Sequence, residues 1–157
     1  TMSLSLVLLL TVVVSLLDSC IAADWHGYVF FYTDVNFGGS MSRYSVDSSQ
    51  ACYALRNLDA GKAVSAKWSN LVQDGTLGSD KKGHAQIAFY TDSTCQSAAK
   101  TFSTKAESFP TNFALNGIKN KIAGFMVMET STTVKGTAAP QWLQPKPTLG
   151  NFDPNAQ

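Results

Sequence analysis

Phe31-Tyr32-Thr33-Asp34 returns as Phe89-Tyr90-Thr91-Asp92, 58 positions on, each time at the end of an apolar, aromatic run. Four identical residues closing two similar runs mark an internal duplication. Around the first copy, Gly27–Tyr32 is aromatic and β-branched and stops at Asp34-Val35-Asn36 with Gly38-Gly39 behind, the pattern of a strand entering a glycine-dependent turn. Met41–Val46 then alternates, as a half-buried return strand should. Residues 51–55 and 63–68 supply two further short strands, separated by a loop at 57–61, so the first unit has four strands.

The order repeats after a linker at 73–83 that is rich in Gly, Asp and Lys: strands are predicted at 85–90, 97–103, around 109–115 and at 122–128. No segment longer than about ten residues shows a helical period with caps, so the chain reads as all-β. From Thr130 the composition shifts to Ser, Thr and Pro, with Trp142, Leu143 and Phe152 as isolated apolar groups. Such a tail cannot build a core of its own. It is expected to be an extended arm, either mobile or laid against the domain or a partner through Trp142 and Phe152.

At 157 residues, 45% hydrophobic and 15% charged, the chain has enough apolar material for one well-filled core. Residues 4–17 form an apolar stretch too short to span a membrane comfortably, followed by Ser19, Ala22 and Ala23. This reads as a secretory signal over residues 1–23, although its start lacks Lys and Arg; a lipid anchor at Cys20 is the alternative. Removing the segment takes away one acid, Asp18, and moves the formal charge from +1 to +2, with basic residues scattered. That balance argues against nucleic acid and against an anionic membrane as partners. Cys52 and Cys95 remain, an even pair whose default in an oxidising compartment is one disulfide, with two free buried thiols as the rival reading. A bridge closing about 44 residues would stabilise the fold by roughly 4 kcal/mol before any strain.

Tyr32 followed by Phe37 and Gly39, together with Cys52-Tyr53-Ala54-Leu55 and the stretch from Ala60 to Trp68, resembles the folded-hairpin signature of the βγ-crystallin family. The resemblance is especially to secreted microbial members, including small metalloproteinase inhibitors and toxins of that fold. The resemblance spans about residues 28–127 and implies a β-sandwich of two Greek-key motifs, at about 27–70 and 85–129, within a domain at 24–129 and ahead of the arm at 130–157. In such a hairpin the glycine takes a positive φ while the aromatic pair packs beneath it. In the second copy Tyr90 stays but Cys95 and Ser97 stand where Phe and Gly belong. The family's exchange of third strands implies that Cys52 crosses to the sheet holding Cys95, so that a disulfide replaces the missing aromatic contact.

Calcium-binding members carry an Asn or Asp pair and then a Ser or Thr pair, because a hard cation needs several oxygen ligands. The matching positions read Ala60, Gly61, Val64 and Ser65 in the first unit and Lys119, Asn120, Ile122 and Ala123 in the second. No calcium site is expected at either, and no other cofactor. His26 and His84 are the only histidines, and no nucleophile elbow, His-Glu-x-x-His pair or phosphate loop is present. Asp34 and Asp92 read as turn formers. Glu107 and Glu129, the only glutamates, have no glycosidase-like spacing to the aspartates, so no enzyme is expected. Trp25, Trp68 and Trp142 are weaker candidates for a carbohydrate-stacking surface, Trp68 reading first as core. The expected function is a secreted, non-enzymatic protein that binds an extracellular protein or cell-surface macromolecule, as a protease inhibitor, toxin or effector. Loops at 35–40, 57–62, 71–83 and 111–118 are expected to set specificity, with Trp25, Trp142 and Phe152 as candidate contact residues. The alternative is a structural or self-assembling role for the arm.

Overall fold

A computed structural model describes residues 25–77, 83–105 and 108–138. The expected signal segment and the two tail aromatics Trp142 and Phe152 lie outside them. The chain forms β1 (Gly27–Tyr32), β2 (Met41–Val46), β3 (Ala51–Ala54), β4 (Ser65–Ser69), β5 (Gln86–Tyr90), β6 (Lys100–Ser103), β7 (Gly124–Met128) and β8 (Gly136–Ala138). Two sheets result, of order β2-β1-β4 and β6-β5-β7-β3-β8. The fold is the all-β sandwich of two Greek-key units that the resemblance implied.

The duplication is visible in the pairing. Tyr32 ends β1 and Tyr90 ends β5, and the first unit's third strand, β3, leaves its own sheet to pair antiparallel with β7. The reciprocal strand is not regular. Residues 109–115, expected to be a strand, run beside β4 with only two backbone hydrogen bonds to residues 64–66, from Ala66 N to Pro110 O and from Phe113 N to Val64 O, before winding into a 3-10 turn at Phe113–Asn116. Pro110 has no N–H to donate, so a ladder through it is broken by its chemistry. The strand expected at 97–103 is confined to Lys100–Ser103, because residues 92–97 are consumed by a tight turn around Asp92.

The inner faces of the two sheets meet in one aromatic core. Phe125 lies at its centre, stacked on Tyr53 with ring centroids 5.1 Å apart and contacting Phe31 and Tyr44 at 5.5 and 5.9 Å. Replacing it with Ala would cost about 3–5 kcal/mol by the usual large-to-small penalty. Strand β7 is buried at every position. Its outward side chains, Met126 and Met128, pack with Cys52, Ala88 and Tyr90 beneath Leu77, Ala99 and Val134. The larger sheet is therefore covered on both faces. Val134 belongs to the segment beyond Glu129, and β8 pairs in parallel with β3, so the packed structure continues past the boundary read at residue 129.

Candidate functional site

The first hairpin is built from its own sequence. Asp34 Oδ1 accepts from Val35 N at 2.8 Å, and Asn36 and Phe37 take φ of 51° and 62°, turning the chain back over the sheet. Gly39 follows with φ 74°, and a Cβ there would overlap Thr33 Oγ1. The Tyr32 and Phe37 rings meet edge to face at 5.8 Å, as the Tyr-Phe-Gly spacing implied. Ser65, fully buried on β4, ties the turn down: its hydroxyl donates to Asp34 O at 2.6 Å and accepts from Phe37 N at 3.1 Å.

In the second hairpin Cys95 stands in place of Phe37 with φ 57° and is bonded to Cys52, Cα atoms 5.8 Å apart. The Cys52–Cys95 disulfide thus joins β3 to the hairpin of the other unit. Asp92 organises the turn, accepting from Thr94 N and Oγ1, Gln96 N and Ser97 N. Burial opposes its ionisation, but the hydrogen bonds from Ser97, Thr94 and Gln96 outweigh that and hold its carboxyl well below the usual range. Ser97, in place of Gly39, does not take a positive φ; its N–H donates to Asp92 and its hydroxyl accepts from Thr91 N at 3.0 Å.

The two units are cross-bonded at one end. Gly61 N donates to Ile122 O and Asn120 N donates to Ala63 O, at 2.9 and 3.0 Å, while Val64 N and Ala123 N donate to the carbonyls of Tyr32 and Tyr90. These bonds make Ala123 and Gly124 the equivalents of Val64 and Ser65, one residue on from the alignment read in sequence. The residues do not fit a calcium ion: Gly61 has no side chain, Ser65 spends its hydroxyl on the hairpin, and Gly124 replaces the second hydroxyl. Among the described residues no group of three or more His, Cys, Asp and Glu is placed to hold a metal.

Beside this end lies a cleft of about 190 Å³ lined by Phe31, Thr33, Ser40, Ser42, Asp59 and Lys62, with Leu58 on its rim. Asp59 anchors the loop that forms one wall. Its carboxylate accepts from Ser42 Oγ, Tyr44 Oη and Arg56 Nε at 2.6, 2.6 and 2.7 Å. Burial works against its charge, and those donors overcome it, so the carboxyl titrates below its ordinary value. The Tyr44 hydroxyl is driven the other way, upward, by burial first and by Asp59 second. With the loops so anchored, Leu58 is left 71% exposed and Leu115, on the equivalent loop of the second unit, 83%.

The structure places the other residues singled out in sequence less favourably for recognition. Trp25 is half-buried against the core, and Trp68 is core, donating to Thr104 O at 2.7 Å. His26 and His84 lie at the starts of the two units, His26 sharing a hydrogen bond with Ser45 Oγ. Neither histidine meets a Ser or Cys and a carboxylate together in the described hydrogen bonds. Leu58, Leu115 and the Asp59 cluster were not singled out. Of these, only the Arg56–Asp59 spacing of three leaves a trace in sequence, and it forms the salt bridge at 2.7 Å.

No family model matches the chain, and a search of curated proteins returns no match. Solved structures that resemble it include a βγ-crystallin domain from Clostridium beijerinckii, 19% identical over 64% of this chain and 95% of that one, with a TM-score of 0.41. A protein from work on the evolution of the eye lens βγ-crystallin domain fold is 17% identical over 66% and 87% of the two chains, with a TM-score of 0.44. An archaeal βγ-crystallin is 22% identical over 64% and 95%, with a TM-score of 0.36. Likenesses this distant carry no function, which has to be argued from the residues.

Proposed function

We propose that this chain is a secreted, non-enzymatic protein that acts by binding an extracellular protein through the cross-bonded loop end. One observation carries the reading: Leu58 and Leu115 stand in water on loops whose backbones are tied down by Asp59 and by the Gly61–Ile122 and Asn120–Ala63 hydrogen bonds. Covering a leucine contributes about 1.5–3 kcal/mol, and an anchored loop loses little entropy when it is covered. Asp59 and Asp92 are both taken up by structural hydrogen bonds, which favours recognition over catalysis. The disulfide and the apolar leader support an extracellular site of action.

The sharper form is a protease inhibitor, in which the loop carrying Leu58 occupies an enzyme cleft and is held in place if cleaved. Binding in either form is independent of calcium, and micromolar calcium binding by calorimetry would overturn that part. The test compares the secreted protein with the double variant Leu58→Asp, Leu115→Asp as bait. Both side chains are exposed, so the variant should keep the native melting temperature while losing the captured partner and any inhibition across a protease panel. Capture of the same partners by both baits would sink the proposal. A second reading, assembly through the tail, would require β8, which fills the β3 edge of its own chain, to pair between copies instead.

A further inference from the structure

The two outer faces of the sandwich differ. The larger sheet is roofed by Leu77, Ala99 and Val134, whereas the smaller sheet turns Tyr28, Phe30, Arg43 and Lys67 outward, all half-buried or exposed. The pairing sets these in a pattern: Phe30 on the central strand β1 lies between Arg43 on β2 and Lys67 on β4. Along β1 the rings of His26, Tyr28 and Phe30 follow one another at centroid spacings of 5.1 and 6.4 Å. Arg43 lies over the Tyr28 ring at 5.1 Å, and Lys67 lies over the rings of Tyr32 and Phe37 at 5.6 and 5.3 Å.

We propose that this face binds a linear polysaccharide bearing carboxylate or sulfate groups. Among the described residues the ion pair is Arg56–Asp59, so neither Arg43 nor Lys67 is neutralised by a described carboxylate. A guanidinium resting on a ring keeps its N–H edge free, which is the arrangement that takes an oxyanion bidentately. The backbones that carry the two cations stand about 10 Å apart, two strand spacings, and the heads lean to opposite ends of β1, Arg43 to Tyr28 and Lys67 to Tyr32 and Phe37, with a ring row between them on which sugar faces stack. Three strands of five or six residues offer a footprint of about 300 Å². Even doubled for side-chain relief, that falls short of the roughly 800 Å² per partner that a stable protein interface buries, and it suits an extended chain. This surface is separate from the loop end, so the proposal does not depend on the reading above.

The experiment titrates the full chain against polygalacturonate, dextran sulfate, neutral dextran and poly-glutamate. Binding to polygalacturonate or dextran sulfate is expected to exceed binding to the other two at least tenfold, and whichever is tighter identifies the anionic group. The variant Arg43→Gln, Lys67→Gln should weaken it about tenfold and flatten its salt dependence, as when fewer counterions are released. Phe30→Ala should weaken it while leaving the salt slope in place, and Lys119→Gln, Lys121→Gln should change nothing. No binding to either anionic polysaccharide at low salt, equal binding to poly-glutamate, or equal loss from the two lysine-to-glutamine controls overturns the proposal. Should the Arg43/Lys67 variant fail to fold, the poly-glutamate comparison on the native protein decides.

Discussion

Cys95 occupies in the second hairpin the place that Phe37 holds in the first, and both take a positive φ, 57° and 62°. The positive φ at this one position has been kept, without those of Asn36 and Gly39 on either side of it, while the anchor has changed from a ring on a ring to a covalent bond. A second exchange accompanies it. Ser65, which ties the first hairpin to β4, is matched on β7 by Gly124, where a Cβ would stand 2.8 Å from Asp92 O and 3.4 Å from Cys95 Sγ. The glycine makes room for the sulfur, and Asp92 takes over the hydrogen bonding that the serine provides in the first unit.

The disulfide should therefore carry the second hairpin. Intact mass is expected to rise by about 2 Da on reduction. Replacing both cysteines with Ala should lower stability by roughly 2–5 kcal/mol, a fall in melting temperature of about 10 °C. Two free thiols in the secreted protein would refute the anchor.

Glycines with the same φ should differ in cost. Gly39 and Gly117 have φ of 74° and 73°, but a Cβ at Gly39 meets Thr33 and Asp34, whereas one at Gly117 meets nothing within 4 Å. Gly117→Ala should cost about 1 kcal/mol from backbone strain alone, and Gly39→Ala should cost clearly more, about 2–3 kcal/mol. Equal losses in chemical denaturation would mean that packing under the first turn is loose.

Acid should act through Asp92 and Asp59. Each has a folded pKa depressed below the ordinary 3.8, so each contributes stability that is present above that value and is lost as pH falls through the folded pKa. Asp92→Asn should be less stable than the native protein at pH 7, with the difference narrowing below about pH 4 as the carboxyl of the unfolded chain takes up a proton that the folded one resists. A constant difference from pH 7 to about pH 2 would show that the charge on Asp92 contributes nothing.

The first hairpin was readable because its determinants are local: an aspartate, a ring pair and a glycine within eight residues encode the turn. Short apolar runs bounded by turn residues likewise located seven of the eight strands, as in the aromatic, β-branched Gly27–Tyr32, while the alternation read at Met41–Val46 is not kept in its burial, where Tyr44, Ser45 and Val46 are all buried. The Asp59 cluster was not readable, because Ser42 and Tyr44 lie 17 and 15 positions away and meet it only through the Greek-key return. The irregular path at 109–115 was missed because its aromatic residues mimic a strand, while the decisive fact is the N–H that Pro110 lacks. Leu58 and Leu115 lie in loops expected to set specificity, 57–62 and 111–118, but nothing in the sequence picks out the leucines themselves, since an isolated leucine in a loop looks the same covered or bare.

The tail is where fold and function meet last. Its first residues are structural: Lys135 N donates to Gln50 O at 2.8 Å, Gly136–Ala138 pairs with β3, and Val134 helps roof Met126 and Met128. Deleting residues 130–157 should therefore do two things. It should destabilise the domain, by about 1–3 kcal/mol for the uncovered apolar surface, and it should expose the β3 edge, a row of unpaired backbone groups that invites another strand. Scattering of the truncated protein is then expected to show concentration-dependent association, while the intact chain stays monomeric because its own β8 fills the edge. If instead the intact chain is the one that associates and truncation yields a monomer, β8 pairs between copies rather than within one, and the assembly reading takes precedence. Identical monomer profiles at equal stability would mean that β8 contributes neither stability nor protection.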